Sequence, residues 1–207
     1  IDTIKAVVPS TTTLTVQRTS EAYGQATSAT AKVTSDSPLA SGMDTPAGTV
    51  RFTIGGKSVS APLDSTGTAT VTKLPTVPAG KTYNVVAHYS SAATSFYQST
   101  NSTATALKVV KDGTRTTVAA PNIRRHHAEV ATVKVTSTHR ATVTGKVKAI
   151  LKKGTRTLMT KTVRLRSGKA AVNFGKLSKK GTYTVVAKYL GTGNFKVSSG
   201  RDGFSVR

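Results

Sequence analysis

Cysteine and tryptophan are both absent from this chain of 207 residues. Without cysteine there is no disulfide framework, no thiolate zinc site and no cysteine nucleophile. Either redox compartment tolerates that, so the absence does not place the protein. No stretch approaches the ~18 consecutive apolar residues of a membrane helix, so a membrane span is not expected. Acids are scarce: 8 Asp and Glu stand against 30 Lys and Arg, for a formal net charge of +22 and a pI of about 10.7. The chain opens at Ile1 with no apolar leader, and so reads as a processed product or a monomeric fragment of a larger protein. What is present is 37% hydrophobic residues at a mean hydropathy of -0.18, enough to bury a core. There are 37 Thr, with abundant Val and Ala and little Leu. A β-branched excess broken by short polar stretches predicts an all-β chain.

The charge is uneven. Up to Lys111 there are nine Lys/Arg and five Asp/Glu, or +4; the rest holds twenty-one and three (Asp112, Glu129, Asp202), or +18. An internal repeat falls on the same division. Gly80-Lys-Thr-Tyr83-Asn-Val85-Val-Ala87-His-Tyr89 returns as Gly181-Thr-Tyr183-Thr-Val185-Val-Ala187-Lys-Tyr189. Gly48-Thr-Val50-Arg51 returns as Gly145-Lys-Val147-Lys148, and Phe96-Tyr-Gln-Ser99 as Phe195-Lys-Val-Ser198. Pro62-Leu63-Asp-Ser-Thr-Gly67-Thr-Ala69-Thr-Val71 matches Arg164-Leu165-Arg-Ser-Gly168-Lys-Ala170-Ala-Val172. Each copy opens on a Thr-rich run, Thr11 to Val16 and Thr114 to Val118. The repeat sets two domains, 1–111 and 112–207.

Within each copy apolar residues alternate with polar ones, the period of a strand with one buried face. In the second copy Ala131, Val133 and Val135 share a face, as do Val147, Ala149 and Leu151, then Val163 and Leu165. Ala170 and Val172, the set Tyr183, Val185, Ala187 and Tyr189, and finally Phe204 and Val206 follow. Turn signals separate these runs, and about seven short strands in roughly 100 residues is what a two-sheet sandwich requires. The predicted fold is therefore all-β, two tandem immunoglobulin-like β-sandwich domains. The series Thr-Thr-Thr-x-x-Val, Gly-x-Val, Leu-x-x-x-Gly-x-Ala-x-Val, Gly-x-Tyr-x-Val-x-Ala-x-Tyr and Phe-x-x-Ser resembles the bacterial Ig-like domain repeats of secreted and surface-anchored proteins, often actinobacterial. That resemblance implies an extracellular or cell-surface spacer, stalk or adhesive module. The first copy departs from the pattern by a longer insert from Ser35 to Pro46. The second departs by carrying Lys and Arg where surface residues are usually small or acidic.

Catalytic chemistry is not expected. Asp36, Asp44 and Asp64 read as solvated turn residues, and no Gly-x-Ser-x-Gly elbow is present. His126 and His127 are adjacent and would point to opposite faces of a strand, while His88 and His139 stand alone, so no metal site and no cofactor are expected. Gly191-Thr-Gly-Asn194 has no following helix and reads as a turn. Lys–Asn isopeptide cross-links of Ig-like surface domains need a buried acid; Glu129 would be that acid here, with no nameable partners.

Strand geometry gives the positive charge a direction. With Val147, Ala149 and Leu151 inward, Lys146, Lys148 and Lys152 face solvent; Lys188 and Arg207 follow on the last two strands, and Arg164 and Arg166 on the connecting strand. The third, sixth and seventh strands of an immunoglobulin sandwich share a sheet. The matching first-copy positions Thr49, Arg51, Asn84 and His88 carry far less charge. Lys146, Lys148, Lys152, Lys188 and Arg164 are thus the candidate polyanion-binding residues. The expected partners are anionic cell-envelope polymers or a surface protein. Specific nucleic-acid binding is not expected, because stacking aromatics are few. The rival readings are an adhesive carbohydrate- or protein-binding module, with Tyr97 and Tyr23 as its modest aromatic candidates, and an accessory domain of a larger secreted enzyme.

Overall fold

The computed structural model describes residues 7–37 and 45–207. Asp44 and most of the Ser35–Pro46 insert lie outside the described residues. The chain divides into two compact units, one ending at Val110 and one of Lys111–Arg207 with which Ala22–Gly24 group. All regular structure among the described residues is strand.

In the first unit the strands are β1 (Ser10–Val16), β2 (Ser20–Ala22), β3 (Ala29–Ser35), β4 (Gly48–Ile54), β5 (Lys57–Pro62), β6 (Thr68–Val71), β7 (Lys81–Ser91), β8 (Thr100–Asn101) and β9 (Thr105–Val110). They form one sheet of order β1-β3-β6 and another of order β2-β9-β7-β4-β5, with β8 beside β7. Between the sheets lies a core that includes Val33, Val50, Phe52, Ile54, Val85, Tyr89 and Leu107. The second unit contains β10 (Thr114–Ala119), β11 (Ala128–Ser137), β12 (Lys146–Lys153), β13 (Arg156–Arg164), β14 (Lys169–Lys176), β15 (Gly181–Tyr189) and β16 (Ser198–Val206). Its sheets are β10-β11-β14 and β13-β12-β15-β16, all neighbours antiparallel. The seven strands repeat the order of β1, β3, β4, β5, β6, β7 and β9; β2 and β8 are extra to the first unit.

Period two is what fixes this arrangement. On β11 burial alternates at every residue from Ala128 to Thr136, and on β12 the inward set is Val147, Ala149 and Leu151. A one-residue slip on either strand would turn that apolar set to water, so the register is strongly specified. Burying these side chains is worth roughly 1.5–3 kcal/mol each for Val, Leu or Phe. The same polar devices brace both copies. Tyr89 Oη donates to Ala47 O at 2.8 Å, and Tyr189 Oη to Thr144 O at 2.7 Å. Each ring lies over a glycine: Gly145 sits at φ 113°, and a Cβ there would meet the Tyr189 ring at 3.2 Å. Tyr83 and Tyr183 likewise tie back to Pro78 O and Lys179 O.

Candidate polyanion interface

The sheet β13-β12-β15-β16 carries four of the five candidate cations close together. Antiparallel pairing sets Lys148 of β12 directly opposite Lys188 of β15, and Lys146 of β12 directly opposite Arg164 of β13. All four are exposed. Directly opposed residues on one face have Cβ atoms ~5 Å apart, near enough for like charges to repel. The next rung, Ile150 with Val186, carries Arg201 on β16 as its only cation. Lys152 lies beyond it, past a bulge between Leu151 and Lys152, half-buried and opposite Thr184. Six residues of strand put it ~20 Å from Lys146. So Lys146, Lys148, Lys188 and Arg164 form one patch and Lys152 stands apart. Arg164 sits on an edge strand of this same sheet. Arg207 lies past the end of β16, its N–H donating to Ile123 O at 3.0 Å, away from the patch.

No acid offsets this face, because the three carboxylates of the second unit are all withdrawn from it. Asp112 is fully buried; its Oδ2 accepts from His139 N–H at 3.0 Å and its Oδ1 meets His139 Nδ1 at 2.8 Å. His139 therefore does not stand alone but fastens the start of the unit to the turn after β11. Asp202 accepts from Ala120 N–H at 2.9 Å and Gly203 N–H at 3.0 Å. Glu129 on β11 is fully buried beside a bulge, and neither carboxyl oxygen has a hydrogen-bond partner among the described residues. Burial, reinforced by the charge of Asp202, pushes Glu129 up to about 7 from its ordinary 4.5. Among the described residues no lysine or arginine lies within ion-pairing distance of a carboxylate; only His139 meets one, at Asp112. All but Lys152 and Lys153 of the second unit's twenty-one cations are exposed, with almost no local compensation.

The first unit handles the same rungs differently. Arg51 opposes His88, and Thr49 opposes Pro62. Asp64, at the following turn, accepts from Thr66 N–H (2.8 Å), Thr66 Oγ1 (2.7 Å) and Thr68 N–H (3.0 Å). Those bonds hold its carboxyl below the usual carboxylate range. Tyr97, an adhesive candidate by sequence, is 5% exposed and packs into the first core, so it offers no contact surface. No cluster of three or more His, Asp or Glu able to hold a metal occurs among the described residues. No helix of the described residues is long and apolar enough to cross a membrane.

The sequence of the first unit decides its family, since residues 14–110 match the model of the bacterial Ig-like domain (group 3). Residues 14–110 form a bacterial Ig-like domain. The second unit repeats that domain's strand order, its tyrosine ties and its turn glycines, which makes the chain a tandem of Ig-like repeats. No curated protein matches the sequence. Among solved structures, the Yersinia pseudotuberculosis adhesin InvE is similar at 15% identity and a TM-score of 0.44, covering 95% of this chain and 58% of its own. The fibronectin(III)-like modules of Clostridium thermocellum CbhA are 14% identical at 0.32, covering 94% of both chains. The D0-D1 domain of intimin is 20% identical at 0.31, covering 95% and 98%. Scores of this size assign no role to the Ig-like repeats.

Proposed function

We propose that the chain is a non-catalytic structural segment of an extracellular or cell-surface protein whose second Ig-like unit docks on anionic cell-envelope polymer. The observation that carries this reading is the patch of Lys146, Lys148, Lys188 and Arg164, built of like charges opposed across a sheet with no acid on the same face. A merely soluble surface does not call for that arrangement. Interspersed Lys and Glu keep a protein soluble and protect sheet edges without cross-strand repulsion. A polymer of closely spaced negative charge supplies the missing counter-charge and releases its own bound cations as it does so. The first unit, at +4, acts as a spacer.

Docking of this kind has long reach and little stereospecificity, so it is steeply dependent on salt. Co-sedimentation of the full chain with purified cell wall at roughly 50 and 200 mM salt tests it. The reading holds if binding is strong at the lower salt and falls at least tenfold at the higher. Absence of binding at low salt would overturn it.

A further inference from the structure

We infer that the corner joining β13 to β14 is a seat for the phosphate groups of a phosphodiester-linked polymer, with Arg164, Arg166 and Lys169 as its rim and Lys146 and Lys134 as its flanks. This rests on the docking reading above and names the group that is docked. The corner is a two-residue hairpin. Arg166 and Lys169 exchange backbone hydrogen bonds at 2.8 and 2.9 Å, and the residues between them, Ser167 and Gly168, sit at φ 47° and 74°. Two positive φ values in succession mark the tight turn whose twist suits antiparallel strands. The turn sets Arg166 directly across from Lys169, and Lys169 is directly across from Lys134 of β11. With Lys146 opposite Arg164, five cations gather, one from each of β11 to β14 and Arg166 from the turn between β13 and β14.

The first unit shows that the fold does not require four of them; at the fifth, Lys134, it too has a lysine, Lys32, opposite Thr68. Leu63 N–H donates to Gly48 O as Leu165 N–H does to Gly145 O; Val33 N–H donates to Gly67 O as Val135 N–H does to Gly168 O. These shared bonds align the two corners on either side of the turn. Thr49, Pro62, Asp64 and Thr68, with a net charge of −1, stand where the second unit has Lys146, Arg164, Arg166 and Lys169, with +4. The turn is also one residue shorter in the second unit. An acid that capped its own turn is thus replaced by an exposed arginine, and a threonine opposite it by a lysine.

The shape of the corner fits the ligand class. Arg164, Arg166 and Lys169 rim a recess of about 430 Å³ whose floor is Thr132, Ala170 and Ala171. Arg164 also lines a second recess of about 330 Å³ with Lys146, Thr144 and Thr192. Each is larger than a bare phosphate, and a small, hydroxyl-bearing floor suits the polyol carried between phosphates. One guanidinium shared by neighbouring recesses matches a chain that presents charged groups in succession. Arginine's planar fork grips two phosphate oxygens at once, a geometry lysine cannot supply.

The test uses the full chain and soluble poly(glycerol phosphate), with γ-linked polyglutamate as a carboxylate polymer of similar charge spacing. Arg166→Asp with Lys169→Thr installs the first unit's own residues at the corner; Arg124→Asp with Lys176→Thr makes the same charge change at exposed positions elsewhere in the unit. The seat predicts at least a tenfold loss of poly(glycerol phosphate) affinity for the corner pair and less than threefold for the control pair. On polyglutamate the two pairs should lose equally. Arg164→Gln, which leaves the turn intact, should lose at least threefold more affinity for the phosphate polymer than for polyglutamate, and thermal melting confirms folding of each variant. Equal losses from both pairs on poly(glycerol phosphate) would overturn the seat and leave the docking reading standing. No binding of the unaltered chain to either polymer at low salt would overturn both.

Discussion

Lys148 and Lys188 oppose each other across β12 and β15, exposed on a face that holds no acid. Directly opposed like charges destabilise an antiparallel pair. Lys148→Glu should therefore stabilise the second unit by about 0.2–1 kcal/mol, through a cross-strand pair with Lys188, while weakening attachment to anionic polymer. Denaturant unfolding and polymer binding, measured on the same variant, check the two signs together. A variant that is less stable and binds as before contradicts the assignment of this rung to binding.

Glu129 makes stability depend on pH. Its folded pKa, about 7, lies above the ordinary 4.5, so between those values the folded state holds a proton that the unfolded state has released. Stability contributed by the neutral carboxyl is full below about pH 4.5, falls as pH rises, and is gone above about 7. At about 1.4 kcal/mol per tenfold change in acidity constant, the ceiling on that loss is about 3 kcal/mol. Urea midpoints from pH 4.5 to 8 should decline for the unaltered chain and flatten in Glu129→Gln. A midpoint that rises over this window contradicts the assignment.

Asp112 and His139 form the opposite kind of buried acid, one with every bond made. Asp112→Ala strands a backbone N–H and an imidazole nitrogen, and should cost about 2–3 kcal/mol. Asp112→Asn keeps one oxygen acceptor and should cost less. Chemical denaturation of the two variants orders them.

Asp64 caps its turn from an exposed position, so its contribution follows its ionisation. A carboxyl held below the ordinary 3.8 favours the folded state above that pH and loses the effect as pH falls through its own lower value. Asp64→Ala should lower the melting temperature at pH 7, and the difference from the unaltered chain should vanish under strong acid. Melting curves at the two pH values report it.

The sandwich itself was legible in the sequence because period two and a full internal repeat say the same thing twice. Every inward residue of β12 and β15 follows from alternation, and the outward Lys146, Lys148 and Lys188 follow from the inward ones. Alternation stops being informative where a strand is irregular or a turn chooses the partner. The bulge after Leu151 moved Lys152 out of the patch. Arg166, Lys169 and Lys134 meet only because a two-residue turn follows β13, and Ser167-Gly168 was the signal that could have placed them. The pairing of Asp112 with His139 spans 27 residues and has no local signature. Tyr97 reads as a loop aromatic, yet it packs inward against the first core.

The central claim is that the charge acts through one sheet face of one unit. The matched rungs test it with the same charge change of −3 in each: Lys148→Glu with Lys188→Gln in the second unit, against Arg51→Glu with His88→Glu at the equivalent rung of the first. Affinity of each full-length variant for purified anionic wall polymer, at roughly 50 mM salt, is the measurement. The account predicts at least a tenfold loss for the Lys148, Lys188 pair and less than a threefold loss for the Arg51, His88 pair. Equal losses would contradict it, because binding would then follow net charge and not the address of the charge on the fold.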